Sequence, residues 1–341
     1  MRKSLLLIVI LLTGSSSLKA QFDTQLSNYW ATISYFNPAY AGQSGNLEAT
    51  LMSRIQWLGM ENTNTPRTTI LMANMPYSLL GKIHGFGALM YNDRIGLFST
   101  TAYYGQYAWK KKLFKGDFSM GLQGGYITQS FDGTKVEIPK GDDYHSPEDE
   151  AIPTSLLSGH SIDASLGLFY SKEKWFAGLS VNHLLAPNVD LDENHTYEIP
   201  RSYYFVGGYN IQLNNPLLEL RPTVLLKTME MSSLYLDPDS LTERVEANTL
   251  KAMLRNSQVD VSVRMIYDKK FWGGISWRYG DAIVLVLGGK FKAIEAGYAY
   301  DFPVSRIVKV STGSHELFLK YNMDLNFKKK GKYKHKSVRI L

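Results

Sequence analysis

"ELFLKYNMDLNF" (residues 316–327) decides the fold. Leu317, Leu319, Tyr321, Met323, Leu325 and Phe327 alternate with Glu316, Lys320, Asn322, Asp324 and Asn326. A period of two puts alternate side chains on opposite faces of a strand, here one face suited to hydrocarbon and one to water. The same pattern recurs in "QVDVSVRMIY" (258–267) and "KWFAGLSVNHL" (174–184). Collecting such runs predicts fourteen strands, near 45–59, 66–77, 82–92, 97–111, 117–131, 161–171, 174–184, 201–212, 218–228, 257–267, 270–279, 282–292, 294–302 and 314–327. The number is even, and most runs reach the roughly 9–11 residues a tilted strand needs to cross a bilayer. The expected fold is all-β: a transmembrane antiparallel up-and-down β-barrel of about 14 strands, of outer-membrane type.

Composition agrees. The 341 residues include 22 Tyr and no Cys, so stability has to come from burial and strand pairing. Residues 1–20, "MRKSLLLIVILLTGSSSLKA", have the basic start, apolar run and small-residue end of a secretory signal peptide. No later window is apolar enough over 18 residues for a spanning helix. The expected organisation is then a signal peptide (1–20), a periplasmic N-terminal segment (21–44), the barrel (45–327) and a basic periplasmic tail (328–341). The tail carries seven positive side chains and no acid. Subtracting those seven and the three of the leader from the net charge of +6 leaves −4 for residues 21–327. The basic balance thus belongs to the ends of the chain, and without a nucleic-acid-binding signature it excludes nucleic acid as a partner of the body.

Connection lengths test the barrel independently. The three longest, 132–160, 185–200 and 229–256, are the fifth, seventh and ninth, so all fall at one end. Short periplasmic turns and long outer loops are the rule for such barrels. "DGTKVEIPKGDDYHSPEDEAIPTSLLSGH" (132–160) holds seven acids against two lysines, and "NVDLDENHTYEIP" (188–200) four acids and no lysine or arginine. The short turns carry lysines instead. This predicts an acidic outer rim, a basic inner rim, and both termini in the periplasm. Glu48, Arg54, Asp260, Arg264, Arg278, Glu316, Lys320 and Asp324 lie on polar faces. There they can pair or stay hydrated, whereas Arg or Lys on the lipid face costs roughly 2–4 kcal/mol at the midplane.

Catalytic constellations are scarce. "SGHSIDAS" (158–165) places Ser158, His160, Ser161 and Asp163 close in sequence, but neighbours on a strand point to opposite faces. The acidic run 141–150 lacks calcium-loop spacing and reads as a solvated loop. "EANTLKAMLRN" (246–256) has the composition of a short helix at the outer mouth. No enzymatic activity, metal site or cofactor is expected. Tyr103, Tyr107, Trp109, Tyr126, Trp175, Trp277, Tyr298 and Tyr300 read as interfacial girdle.

Three further stretches carry a resemblance. "YFNPAYAG" (35–42) sits near the expected mature start, "GYAYDFPVS" spans 297–305, and "STGSHELFLKY" spans 311–321. With the barrel pattern between them, they resemble the PorP/SprF family of type IX secretion system outer-membrane proteins of Bacteroidota. The motif positions, and so the candidate interaction residues, are Asn37, Pro38, Tyr40, Gly42, Tyr298, Tyr300, Asp301, Ser314, His315 and Glu316. The resemblance implies a fourteen-stranded barrel that is not the protein-conducting channel. It also implies a structural partner of the periplasmic ring, of other outer-membrane components of the machinery, or of secreted and surface adhesin cargo, including that of gliding motility. A diffusion channel or small-solute transporter on the same barrel is the alternative. For "YFNPAYAG" two roles stay open: a partial plug, or a surface presented to a partner.

Overall fold

A computed structural model describes residues 24–60, 65–79, 81–136, 153–230 and 257–325. The leader, the acidic run 141–150, the segment 246–256 and the lysine-rich tail lie outside the described residues. Fourteen long strands form the wall: β1 (Leu47–Leu58), β2 (Arg67–Leu79), β3 (Lys82–Ile95), β4 (Phe98–Leu113), β5 (Gly116–Asp132), β6 (Leu156–Lys172) and β7 (Trp175–Asn182). The second half comprises β8 (Ser202–Tyr209), β9 (Leu218–Met229), β10 (Gln258–Tyr267), β11 (Phe271–Arg278), β12 (Ala282–Phe291), β13 (Ile294–Pro303) and β14 (Gly313–Met323). Each pairs antiparallel with its neighbours in sequence, β8 with β9 included, and β14 closes on β1 from Leu47↔Met323 to Leu58↔Gly313. Closure removes every sheet edge along the seam, which an open sheet of this size would leave unpaired. No helix among the described residues is long and apolar enough to cross a membrane.

Alternation sets the two faces. Along β14, Leu317, Leu319 and Tyr321 point outward and are exposed, while Glu316, Phe318 and Lys320 point inward and are buried. The outer surface is apolar around the whole wall, through Leu71, Met90, Tyr103, Leu122, Leu179, Val263, Ile275 and Leu285. Such a band suits lipid and would be anomalous against water. Replacing Leu319 by arginine is therefore expected to lower the folding free energy in bilayers by about 2–4 kcal/mol. Urea titration of refolding into liposomes measures it, and an unchanged midpoint would contradict a lipid-facing position.

The largest boundary differences from the sequence expectation are at the start of β6 and the end of β14, and the connection after β7 has a hairpin of its own. β6 begins at Leu156 rather than near 161, because β5 and β6 continue to pair as far as Asp132↔Leu156. β6 pairs with β7 only to Leu166↔Val181, so the top of the β5–β6 hairpin extends past β7. The connection after β7 folds into a small hairpin, Asn188–Asp190 with Thr196–Glu198, whose Val189 is fully buried. β14 stops at Met323, short of 327.

The larger difference concerns the segment before β1. Thr24 Oγ1 donates to the Asp93 carboxylate (3.0 Å) near the long-connection end of β3. Gln43 bonds the Ser171 hydroxyl (2.7 Å) and the Lys110 ammonium (2.8 Å) near the short-turn ends of β6 and β4. Residues 24–43 therefore run the length of the lumen. Thr24 stands at the end of the long connections and Met323, the last residue of β14, at the other. The reason is burial. Leu26, Tyr29, Trp30, Ile33, Tyr35, Phe36 and Tyr40 are too apolar to be left in water, and the lumen is the only interior the barrel has.

Candidate functional site: the lumen segment and its seat

The segment holds only short turns: Tyr29–Ala31 and Pro38–Tyr40 as single 3₁₀ turns, and Ile33–Phe36 as one turn of α-helix. Asn37 caps the last of them, its Oδ1 accepting from the Ala39 N–H (2.9 Å), with Pro38 at the first helical position. The other end of the same side chain reaches the wall. Asn37 Nδ2 donates to the Leu168 carbonyl (2.9 Å) and the Leu179 carbonyl (3.1 Å), which face each other across β6 and β7.

A row of small residues receives it. Gly85, Ala108, Gly121, Gly167 and Ser180 are consecutive partners across β3, β4, β5, β6 and β7. A Cβ on Gly85 would strike the Ala41 carbonyl, one on Gly121 the Ala39 backbone, and one on Gly167 the Asn37 amide. Ser180 Oγ donates to the Phe36 carbonyl (2.7 Å). The chain from Phe36 to Ala41 thus lies along a furrow cut into the inner wall. Gly42 ends it at φ +66°, and an added Cβ would come 2.7 Å from the Met75 carbonyl oxygen. Gly42→Ala meets both a left-handed backbone and that wall, and the backbone term alone is about 1–2 kcal/mol. The expected result is a lower midpoint in heat-modifiability gels and protease cleavage near residue 43. A variant matching wild type in both would remove Gly42 from the argument.

At the long-connection end the segment is held by charge. Arg54 bonds Asp301 (2.7 Å) and Glu316 (3.3 Å), and Arg278 bonds Asp260 (3.0 Å), Asp301 (2.9 Å) and Asp281 (3.4 Å). All but Asp281 are buried. The spare acceptor capacity goes to the segment. Glu316 accepts from the backbone N–H of Ser27 (2.7 Å) and Asn28 (2.6 Å), and Ser27 Oγ donates to Asp301 (2.6 Å). Midway, the Arg264 guanidinium lies 3.5 Å over the Trp30 ring, which sits edge-on to Trp272 and Phe318. The Tyr29 hydroxyl donates to the Thr223 carbonyl (3.0 Å).

The motif residues separate into two groups. Asn37, Pro38, Tyr40 and Gly42 lie on the lumen segment, and Asp301 and Glu316 belong to the charge network that grips its other end. Ser314 also faces inward, accepting from the Trp57 N–H (3.1 Å). Tyr298 and His315 face outward and bond each other (2.6 Å), and the Tyr300 hydroxyl donates to the Thr312 carbonyl, so these three pin the β13–β14 connection rather than the segment. His160 faces outward, stacked on Tyr126, while Asp163 faces inward and accepts from His183 (2.7 Å) and Tyr104 (2.8 Å). Ser158, His160 and Asp163 therefore do not form a relay. Among the described residues no His, Cys, Asp or Glu side chains gather as metal ligands. Sequence reasoning missed Ser27, Asn28 and the furrow. The signal for the furrow was there, as glycines at inward positions of consecutive strands, but it shows only once the register is known.

A closed fourteen-strand barrel with an apolar outer band and a filled lumen is a transmembrane barrel of outer-membrane type. The chain belongs to the type IX secretion system membrane protein PorP/SprF family, whose model matches residues 18–321. None of the curated proteins compared matches the chain. Similar solved structures include the CymD monoaromatic hydrocarbon channel (11% identity, 85% of this chain and 92% of that one, TM-score 0.47) and the Pseudomonas putida toluene transporter TodX (9%, 89% and 95%, 0.47). BamA from Haemophilus ducreyi lacking POTRA domains 1–3 is another (10%, 82% and 70%, 0.42).

Proposed function

We propose that this chain serves the type IX secretion machinery as a structural partner in the outer membrane, holding a component of the periplasmic ring or a surface-displayed adhesin such as those of gliding motility. The observation that supports this reading is the filled lumen. Residues 26–41 are buried along their whole length, so the lumen is not an open diffusion path in this state. No catalytic role is needed, and in this reading the motif residues Asn37, Tyr40, Gly42, Asp301 and Glu316 act by fixing the segment. The long acidic connections face outward and the short turns face the periplasm, following the usual rule for such barrels.

Deleting the gene is expected to abolish surface display of cargo bearing the system's C-terminal signals while leaving other outer-membrane barrels assembled. Immunoblots of surface-shaved cells read this directly. Normal display in the deletion strain would remove the proposed role.

A further inference from the structure

The outer face changes character where the strands reach their short turns. Along β4 the outward positions run Tyr103, Gly105, Tyr107, Trp109 and then Lys111. Along β6 they run Leu166, Leu168, Tyr170 and then Lys172, which stands opposite Trp175 of β7. Lys82 opens β3 opposite Leu79, itself outward and exposed. Alternation turns all three lysines toward lipid and away from the lumen. Lys292, in the β12–β13 turn, reaches the same side by folding back, its Nζ 5.3 Å from the ring centroid of the outward Phe291.

These ammonium groups lie where the apolar band ends. Lys111 and Lys172 each follow an outward Trp or Tyr by two residues, about 7 Å further along the strand. That is the depth at which hydrocarbon gives way to headgroups and a long side chain can extend toward a phosphate. Phe114 and Phe291 at the turn tips and Phe271 beside one are 82%, 74% and 60% exposed, which suits the upper acyl region and not water. Lys112 and Lys270 are spent on Asp117 and Asp268, whereas Lys82, Lys111, Lys172 and Lys292 form no ion pair with a described residue.

Their distribution identifies the counter-charge. β3, β4 and β6 belong to one half of the cylinder and the β12–β13 turn to the other, so a single soluble ion or a protein docked on one side would meet only some of them. A flat anionic layer around the wall meets all of them together. The β8–β9 connection, 209–218, carries no charged residue and leaves a gap in the series.

We propose that the short-turn rim is a binding collar for anionic phospholipid, interrupted at the β8–β9 connection. Lys82, Lys111, Lys172 and Lys292 hold headgroup phosphates, and Trp109 and Trp175 hold the adjoining acyl chains. The inference is independent of the role in secretion proposed above.

Native mass spectrometry of the full chain, delipidated in detergent, tests it with dioleoyl-phosphatidylglycerol and dioleoyl-phosphatidylethanolamine at matched concentration. Both lipids offer a phosphate, but the second brings an ammonium of its own, so the comparison isolates net charge. Wild type is expected to retain the glycerol lipid about fivefold more than the ethanolamine lipid. Lys82→Gln/Lys111→Gln/Lys172→Gln/Lys292→Gln should lose that preference, and arginine at the same four positions should keep it. Should the glutamine variant not fold, Lys111→Gln/Lys172→Gln is expected to lose part of the preference. Equal retention of the two lipids by wild type, or an undiminished preference in a folded glutamine variant, would overturn the collar. So would displacement of the lipid by glycerol 1-phosphate at matched concentration, which would make this a site for free phosphate. Equal retention combined with lysine-dependent capture of polyglutamate would assign the rim to an acidic protein instead.

Discussion

Excising residues 24–43 is expected to turn a closed cylinder into a conducting one. The wall does not need the segment for its hydrogen bonds, since each of the fourteen strands pairs with both neighbours. The interior does need it to exclude water. With Leu26, Trp30, Tyr35, Phe36 and Tyr40 gone, the remaining inner surface is polar along much of its height, with Thr50, Gln106, Gln123, Ser165 and Asp260 facing the axis. Fourteen strands enclose more space than the eight whose side chains just fill a barrel. Conductance per inserted molecule in planar bilayers should rise by roughly tenfold or more over wild type. A wild-type protein that already conducts like the deletion would undo the plug, and with it the argument against a diffusion channel.

The second large effect is expected at Arg54. Arg54→Ala leaves Asp301 and Glu316 buried, with Arg278 still beside Asp301 but Glu316 facing only the hydrogen-bond donors of the segment. Removing one member of a buried ion pair typically costs about 3–5 kcal/mol because the other charge stays uncompensated. The loss should show as a lower unfolding midpoint in heat-modifiability gels and as protease access near Ser27. Arg54→Ala combined with Glu316→Gln should recover part of it, because glutamine retains an acceptor for the segment without the charge. Equal loss in the single and double variants would mean that Arg54 acts through packing and not through its carboxylates.

Much of the wall was legible in the sequence for a definite reason. A strand between lipid and a wet interior must alternate, so "ELFLKYNMDLNF" declares both faces at once, and β14 turns Leu317 out and Glu316 in. Connection lengths then ordered the ends. The inner charges were legible singly but not as pairs. Arg278 with Asp260 needs the β10–β11 register, and Arg54 with Glu316 needs the closing seam between residues 262 positions apart. The extra length of β6 was hidden because "LLSGH" at its start breaks alternation with Gly159, whose place is explained by the Asp190 carbonyl packed against it. "YFNPAYAG" was informative as a motif yet silent about where it sits. Its turns and aromatics suit an outer surface or an interior equally, and only the furrow of Gly85, Gly121 and Gly167 decides between them.

The course of residues 24–43 constrains how the molecule is made. They are synthesised ahead of every strand, yet they end up enclosed by all fourteen. Pulling a chain that carries Trp30, Tyr35 and Phe36 through a finished ring, past the Arg54 and Arg278 clusters, would mean breaking each grip in turn. The sheet is more simply wrapped around its own filling, with the joining of β14 to β1 as the last act. On that route the segment is in place before the seam between β1 and β14 closes.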